Sequence, residues 1–237
     1  KDDAVSWTTA KENPATAVYY VASDGNDKNT GLDRKNAWKT IQHAADAVRP
    51  GDTVMIAGGA YPERVLMRAT GESNAPITFK SMPGEKVMMD GADKALNSFF
   101  AASGKSHLRF DGFYFEDSNR ERLSGWIMGF AGEFKLYKCD DIQISRCFSD
   151  GRGGYTARSI VAWHVSDLYI KNCVTMNKMM GCYYLERCPG LRVENSVICR
   201  PMISSFYLRN DTNQTANMDN NIFAEKKKKK AIMNISL

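Results

Sequence analysis

The sequence predicts an all-β fold, a right-handed parallel β-helix: a solenoid of stacked coils whose N-terminal end is covered by an α-helix. Three observations carry this. A short motif recurs along the chain, a second family of apolar strands follows it at a near-constant offset, and a helical pattern precedes both. The motif reads apolar, any, apolar, any, then Asn or Gly, then a small or apolar residue. It appears as LRFDGFYF from Leu108, IQISRCFS from Ile142, LYIKNCVT from Leu168, LRVENSVI from Leu191 and, more weakly, ANMDNNIF from Ala216. These starts lie 34, 26, 23 and 25 residues apart.

A period in the twenties, with apolar positions alternating by two, means that each repeat carries short strands whose inward side chains stack on the next coil. The longer first interval requires a loop, placed at Ser118 to Gly125, where SNRERLSG is polar and aperiodic. The second strand family reads SFFAA from Ser98, GWIMGF from Gly125, SIVAWH from Ser159, GCYYLE from Gly181 and SSFYLR from Ser204. Two families at constant offset define two faces. A β-sandwich would need Asn-Gly-type hairpin turns between strands, and leucine-rich repeats need a leucine and asparagine spacing that the second family lacks.

The fifth motif position reads Gly112, Arg146, Asn172, Asn195 and Asn220, so three consecutive coils place Asn at one turn. Asn accepts left-handed backbone geometry and can pass amide hydrogen bonds from coil to coil, which predicts an internal ladder of Asn172, Asn195 and Asn220. The sixth position, Phe113, Cys147, Cys173, Ser196 and Asn221, predicts an internal stack that makes Cys147 and Cys173 core neighbours.

Toward the N-terminus, AWKTIQHAADAV carries Trp38, Ile41, Ala45 and Val48 at helical spacing before RPGDT stops it. This predicts a capping helix at about 37–49, followed by the strands DTVMIAGGAY and ITFKS. His43 falls inside that helix and reads as a cap residue. The chain divides into residues 1–76, holding the helix and a first strand, and residues 77–237, holding the coils. The closing AIMNISL opens another second-family strand with no cap after it, so the solenoid reads as incomplete at its C-terminus.

Composition is that of an ordinary globular protein, with 43% hydrophobic and 25% charged residues, which excludes disordered and collagen-like classes. No apolar run is long enough to span a membrane, and KDDAVSW lacks the basic-then-apolar pattern of a signal peptide. Five of the positive charges behind the net +5 are Lys226 to Lys230, a run that reads as a protected strand edge. The remainder is near neutral, so the reading includes no nucleic-acid partner, and it takes the protein as a monomer. The six cysteines show no zinc-knuckle spacing and read as small buried hydrophobes.

The segment YYVASDGNDKNTGLDRKNAWKTIQHAADAVRPGDTVMIAGGAYPERV, from Tyr19 to Val65, resembles the opening of many extracellular β-helix proteins of the pectate-lyase-like superfamily. The coil repeats extend that resemblance to about Phe223. The resemblance implies a secreted, periplasmic or cell-surface protein acting on a carbohydrate polymer, either as a polysaccharide lyase or as a glycoside hydrolase. Fold alone does not decide between them.

In pectate lyases of this fold, acidic residues at strand exits hold calcium, and an Arg or Lys abstracts the proton α to the uronate carboxyl. An anionic substrate must be neutralised and a base held beside a carbon acid. Here Glu116 and Asp150 share one motif-end position, while Asp117, Asn177 and Arg200 share the next. With coils about 4.8 Å apart, Glu116, Asp117, Asp150 and Asn177 are the expected calcium ligands, with Arg152, Lys178 or Arg200 as the base. The competing reading is that strand ends feed turns, which favour Asp and Asn for conformational reasons alone. The Asp-rich calcium segment and the arginine-and-proline-rich signature of the better-known pectate lyases are missing.

A hydrolase needs paired carboxylates at a defined separation. Asp140-Asp141 reads as a turn, which leaves Glu186 and Asp211 near the second face. There Tyr183, Tyr184, Trp163 and Tyr207 are expected to stack sugar rings or pack the core, and His164, Arg187 and Arg209 to contact substrate. The expected function is thus a lyase acting on an acidic polysaccharide by β-elimination. A glycoside hydrolase, or a non-catalytic polysaccharide-binding or adhesin solenoid, is the alternative.

Overall fold

The computed structural model describes residues 16–90, 98–116, 132–151, 158–178, 181–201, 206–209, 216–224 and 233–236, with backbone alone for Glu116 and 233–236. Its strands form three parallel sheets that run the length of a β-helix. The first sheet runs from Val18–Val21 to Ala216–Asp219, the second from Gly59–Tyr61 to Ile222–Ala224, and the third from Val65–Leu66 to Met233–Ser236. Each coil contributes one strand to each sheet in turn, as Asp140–Ser145, Phe148–Asp150 and Ile160–Trp163 do.

Three sheets stand where the sequence predicts two strand families, because the recurring motif is bent in its middle. Gly112, Arg146, Asn172, Asn195 and Asn220 all have φ between 50° and 84°. The backbone therefore turns a corner at this position, and one motif supplies both a first-sheet and a second-sheet strand.

The predicted Asn ladder is corrected in one respect. Asn172, Asn195 and Asn220 face solvent, although Asn220 Nδ2 does donate to Asn195 Oδ1 at 2.6 Å. The inward ladder is built one residue later. Cys147, Cys173 and Ser196 are buried, the Cys173 N–H donates to Ser196 Oγ (3.1 Å), and the Ser196 N–H donates to Asn221 Oδ1 (2.9 Å).

The third-sheet strand between Phe100–Ser103 and Ile160–Trp163 is Phe134–Tyr137, and not GWIMGF, which lies outside the described residues together with the loop placed at Ser118 to Gly125. Its pattern is plain in retrospect: in FKLY the apolar Phe134 and Leu136 point inward, and Lys135 and Tyr137 point outward. The coils also begin before Ile77. Val18–Val21 pairs with Thr53–Ile56, which pairs with Ile77–Ser81.

The helix is Ile41–Ala47, shorter than predicted because side chains take over the backbone at its start. Thr40 Oγ1 accepts the His43 N–H, and the Glu63 carboxylate accepts the Ile41 and Gln42 N–H groups at 2.9 and 3.0 Å. Ile41, Ala44 and Ala45 are buried with Val21, Val54 and Val65, so the helix closes the core over the first coil. Further along, Phe79, Phe100, Phe110, Phe113, Phe115 and Phe134 fill the interior, with Phe100 stacked on Phe134 at 5.4 Å. Burying each such side chain contributes about 1.5–3 kcal/mol.

Candidate functional site

Two neighbouring regions of the solenoid gather the polar chemistry. The first is the corner where second-sheet strands exit toward the third sheet. The register there places Asp90, Glu116 and Asp150 on consecutive coils, which adds Asp90 to the pair read from sequence. Met176 and Cys199 continue the row, so the acidic column ends after Asp150. Asp150 is buried and accepts Asn177 Nδ2 at 2.6 Å. Asn177 and Arg200 both have left-handed φ, 58° and 53°, so these positions serve the turn whatever else they do.

A hard cation such as calcium takes about six to eight oxygens. Asp150 and Asn177 supply a carboxylate and an amide already bonded to each other, and among the described residues no three Asp, Glu, His or Cys side chains converge as a metal site. The remaining ligands would have to come from Glu116 and Asp117, whose side chains lie outside the described residues, as does Arg152.

Lys178 has no solvent-exposed surface, which corrects its expected place beside the substrate. Its ammonium turns into the solenoid and pairs with Glu133, equally buried, whose Oε1 also accepts Ser149 Oγ at 2.6 Å. An ammonium in an apolar interior stays charged only beside a counter-charge, and Glu133 supplies it.

The second region is the outer face of the third sheet. The register aligns Leu66, Ala101, Lys135, Val161, Tyr184 and Tyr207 in one outward row. Ser103, Tyr137, Trp163, Glu186 and Arg209 form the other. At the N-terminal end of these rows, Arg64, Leu66, Arg68, Lys105, Lys135 and Tyr137 line a concavity of about 610 Å³. A second, of about 600 Å³, is lined by Lys135, Tyr137, Trp163 and His164. Lys135 and Tyr137 are common to both, so the two form one groove running along the solenoid axis.

The groove is cationic. Arg64, Arg68, Lys105 and Lys135 all reach its lining, and no lining side chain among the described residues is acidic. Arg68 is partly neutralised from outside by Asp46 (2.8 Å), and Lys105 Nζ donates to the Arg68 carbonyl (2.6 Å). Partial burial, and then the nearby Arg64 charge, push the Lys135 ammonium below the usual lysine range. Tyr137 is 42% exposed between the two lobes, with the His164 ring edge-on to it at 6.2 Å.

Further along, Tyr184 and Tyr207 stack at 4.5 Å and 6°. The Arg158 guanidinium sits 4.9 Å above the Tyr184 ring, and the Tyr184 hydroxyl donates to Glu186 at 2.9 Å. Burial, and then that hydrogen bond, push Tyr184 up to about 12. Arg209 lies 3.6 Å from Glu186, and Arg187 is exposed at the adjoining corner. The expectation for Tyr183 is corrected: it points into the core and meets Thr175 Oγ1 at 3.3 Å, so it cannot stack a sugar. His164, Tyr184, Glu186 and Arg209 do share the outer face, whereas Asp211 lies outside the described residues. Sequence reasoning missed Arg64, Arg68, Lys105, Lys135 and Tyr137. The last two were hidden by the misplaced strand, and the signal that would have found them is the alternation in FKLY.

With this geometry in view, the comparisons with known proteins agree on the architecture. Residues 35–128 match the family model for chondroitinase B. A protein of Bacillus subtilis named as uncharacterized protein YwoF is 34% identical over 88 residues, and alpha-1,3-galactosidase A of Akkermansia muciniphila is 30% identical over 87. Those alignments cover 37% and 36% of this chain but only 19% and 15% of the relatives. Among solved structures, a rhamnogalacturonan lyase superposes with a TM-score of 0.55 at 15% identity, covering 88% of this chain and 62% of that one. A pectate lyase superposes at 0.52 and 14%, covering 85% and 57%. The chain is a right-handed parallel β-helix, the fold it shares with these two lyases.

Proposed function

We propose that this chain binds an acidic polysaccharide along the outer face of the third sheet and cleaves it by β-elimination, acting outside the cytoplasm. One observation carries the reading: four cationic side chains and the exposed Tyr137 ring share a groove with no acidic lining residue among those described. Such a groove attracts a polyanion, whose charges offset those of the lining cations. The lyases named among the structural neighbours, and the chondroitinase B model, support the reaction class.

In this scheme Arg64 and Arg68 neutralise a uronate carboxylate, which acidifies the adjacent C–H. Lys135, whose basicity burial and the Arg64 charge lower, is the base that takes this proton. The electron pair forms the new C=C bond as the glycosidic C–O bond breaks, and a proton returns to the leaving oxygen, with the Tyr137 hydroxyl placed to assist. Arg200, at the neighbouring corner, and Arg152, outside the described residues, are the competing bases. A hydrolase reading rests on Glu186, held by Tyr184 and Arg209 on the same face, together with the galactosidase among the relatives.

The deciding assay incubates the protein with pectic, alginate and sulfated polysaccharides. An unsaturated product absorbing in the ultraviolet, lost in Lys135→Ala and retained in Arg200→Ala, supports the proposal. New reducing ends without that absorbance move the function to a hydrolase, and retention without turnover makes it a binding solenoid.

A further inference from the structure

The six cysteines are buried free thiols, and two of them are placed differently from the rest. Cys147 and Cys173 occupy the same corner of consecutive coils, since Phe148 pairs with Val174 and the Val174 N–H donates to the Cys147 carbonyl at 2.9 Å. Both side chains point inward. Cys147 Sγ lies 3.4 Å from the Ser145 carbonyl, and Cys173 Sγ leans back a full coil to the Ile144 carbonyl at 3.7 Å, so both sulfurs lie against the same stretch of backbone. Neighbouring parallel strands are about 4.8 Å apart, within the Cα separation of about 4.4–6.8 Å that a disulfide spans.

Cys139 and Cys188 share a row, but Val165 stands between them on the intervening coil, which puts them two coil spacings apart, about 9.6 Å. From this geometry we propose that Cys147 and Cys173 are an oxidation site, joined by a disulfide that staples two consecutive coils when the chain folds in the presence of a small-molecule disulfide. The two thiols lose two protons and two electrons, the S–S bond forms, and the oxidant RSSR is reduced to two RSH.

The pair is chemically asymmetric in the sense such exchange needs. Burial pushes the Cys147 thiol well up and keeps it protonated, and its hydrogen bond to Cys173 lowers the latter. Because both sulfurs are buried, the bond forms during folding or local opening. The staple lies at the corner between the first and second sheets, away from the groove of the third, so it does not depend on the substrate proposed above.

The test refolds the full chain in oxidised and reduced glutathione, then alkylates it in denaturant and maps the peptides by mass spectrometry. The expected result is four alkylated cysteines and one cross-linked peptide joining Cys147 to Cys173. The unfolding temperature should rise by roughly 5–10 °C over the reduced protein. Cys147→Ala and Cys173→Ala should each lose the cross-link and the rise, while Cys188→Ala keeps both. Six alkylated cysteines after refolding to the native circular-dichroism spectrum would overturn the proposal, as would a cross-link between any other pair.

Discussion

Lys178 forms an ion pair with Glu133 across two coils, inside the solenoid, with neither side chain exposed to solvent. The contact ties the entrance of the Phe134–Tyr137 strand to the exit of Val174–Met176, and Ser149 on the coil between them joins it. Glu133 Oε2 has no hydrogen-bond partner among the described residues, so the carboxylate depends on Lys178 and Ser149 for what satisfaction it has. Removing one partner strands a buried charge. Lys178→Met should therefore cost about 3–5 kcal/mol in urea unfolding, and the double variant with Glu133→Leu should recover most of that loss. A double-variant loss equal to the sum of the two single losses would show that the charges do not depend on each other.

The corner between the first and second sheets gives a second prediction. Asn195 has φ of 50° and is solvent-exposed, so its worth lies in backbone conformation and not in a buried amide. Asn195→Gly should be nearly neutral, whereas Asn195→Leu should cost about 1–2 kcal/mol, the penalty of a branched side chain in left-handed geometry. If Gly and Leu cost the same, the bond from Asn220 Nδ2 is the part that matters.

That corner also shows what the sequence could and could not reveal. Motif spacing and alternation expose the coil, because inward stacking demands the same apolar positions every turn, and the sixth-position stack of Cys147, Cys173 and Ser196 follows from it. What alternation does not encode is where the chain bends, since a left-handed residue such as Arg146 leaves no strong compositional mark. The first and second sheets therefore read as a single strand family. The groove suffered for a related reason: Arg64, Lys105 and Lys135 come from three different coils and meet only through register. Lys178 shows the opposite failure, a charged residue at a strand exit that turns inward because Glu133, 45 positions away, receives it.

Lys135 supplies the third prediction, through pH. Its ammonium is disfavoured in the folded protein by burial and by Arg64, so the unfolded chain binds that proton more readily. The destabilisation is present below the lowered folded value and fades as pH rises toward the ordinary lysine value of 10.5. Lys135→Met should therefore unfold at higher urea than wild type at neutral pH, with the gap closing on the alkaline side. The same variant should weaken retention on an acidic-polysaccharide gel and flatten its salt dependence, because one counter-charge has gone. A variant that is less stable at neutral pH yet binds as wild type would separate Lys135 from the groove.

The last prediction concerns Asp141, on the corner that leads into the first sheet. Burial acts to raise its carboxyl, but hydrogen bonds from Arg109 at 2.6 Å and His107 at 2.7 Å outweigh it and hold the group below 3.8. A carboxyl lowered in the folded state stabilises above its unfolded value, and that stability is lost as pH falls through the folded one. Asp141 also has φ of 47°, a conformation that Asn adopts as readily as Asp, so Asp141→Asn removes the charge and leaves the turn intact. The side chain is about one-third exposed, which screens the interaction, so the loss at neutral pH should be only about 1 kcal/mol. It should shrink toward zero in acid, where the wild-type carboxyl is protonated as well. Urea midpoints measured for both proteins from neutral pH to below 3.8 test this, and a gap that stays constant across that range would place the contribution of Asp141 in its shape and not in its charge.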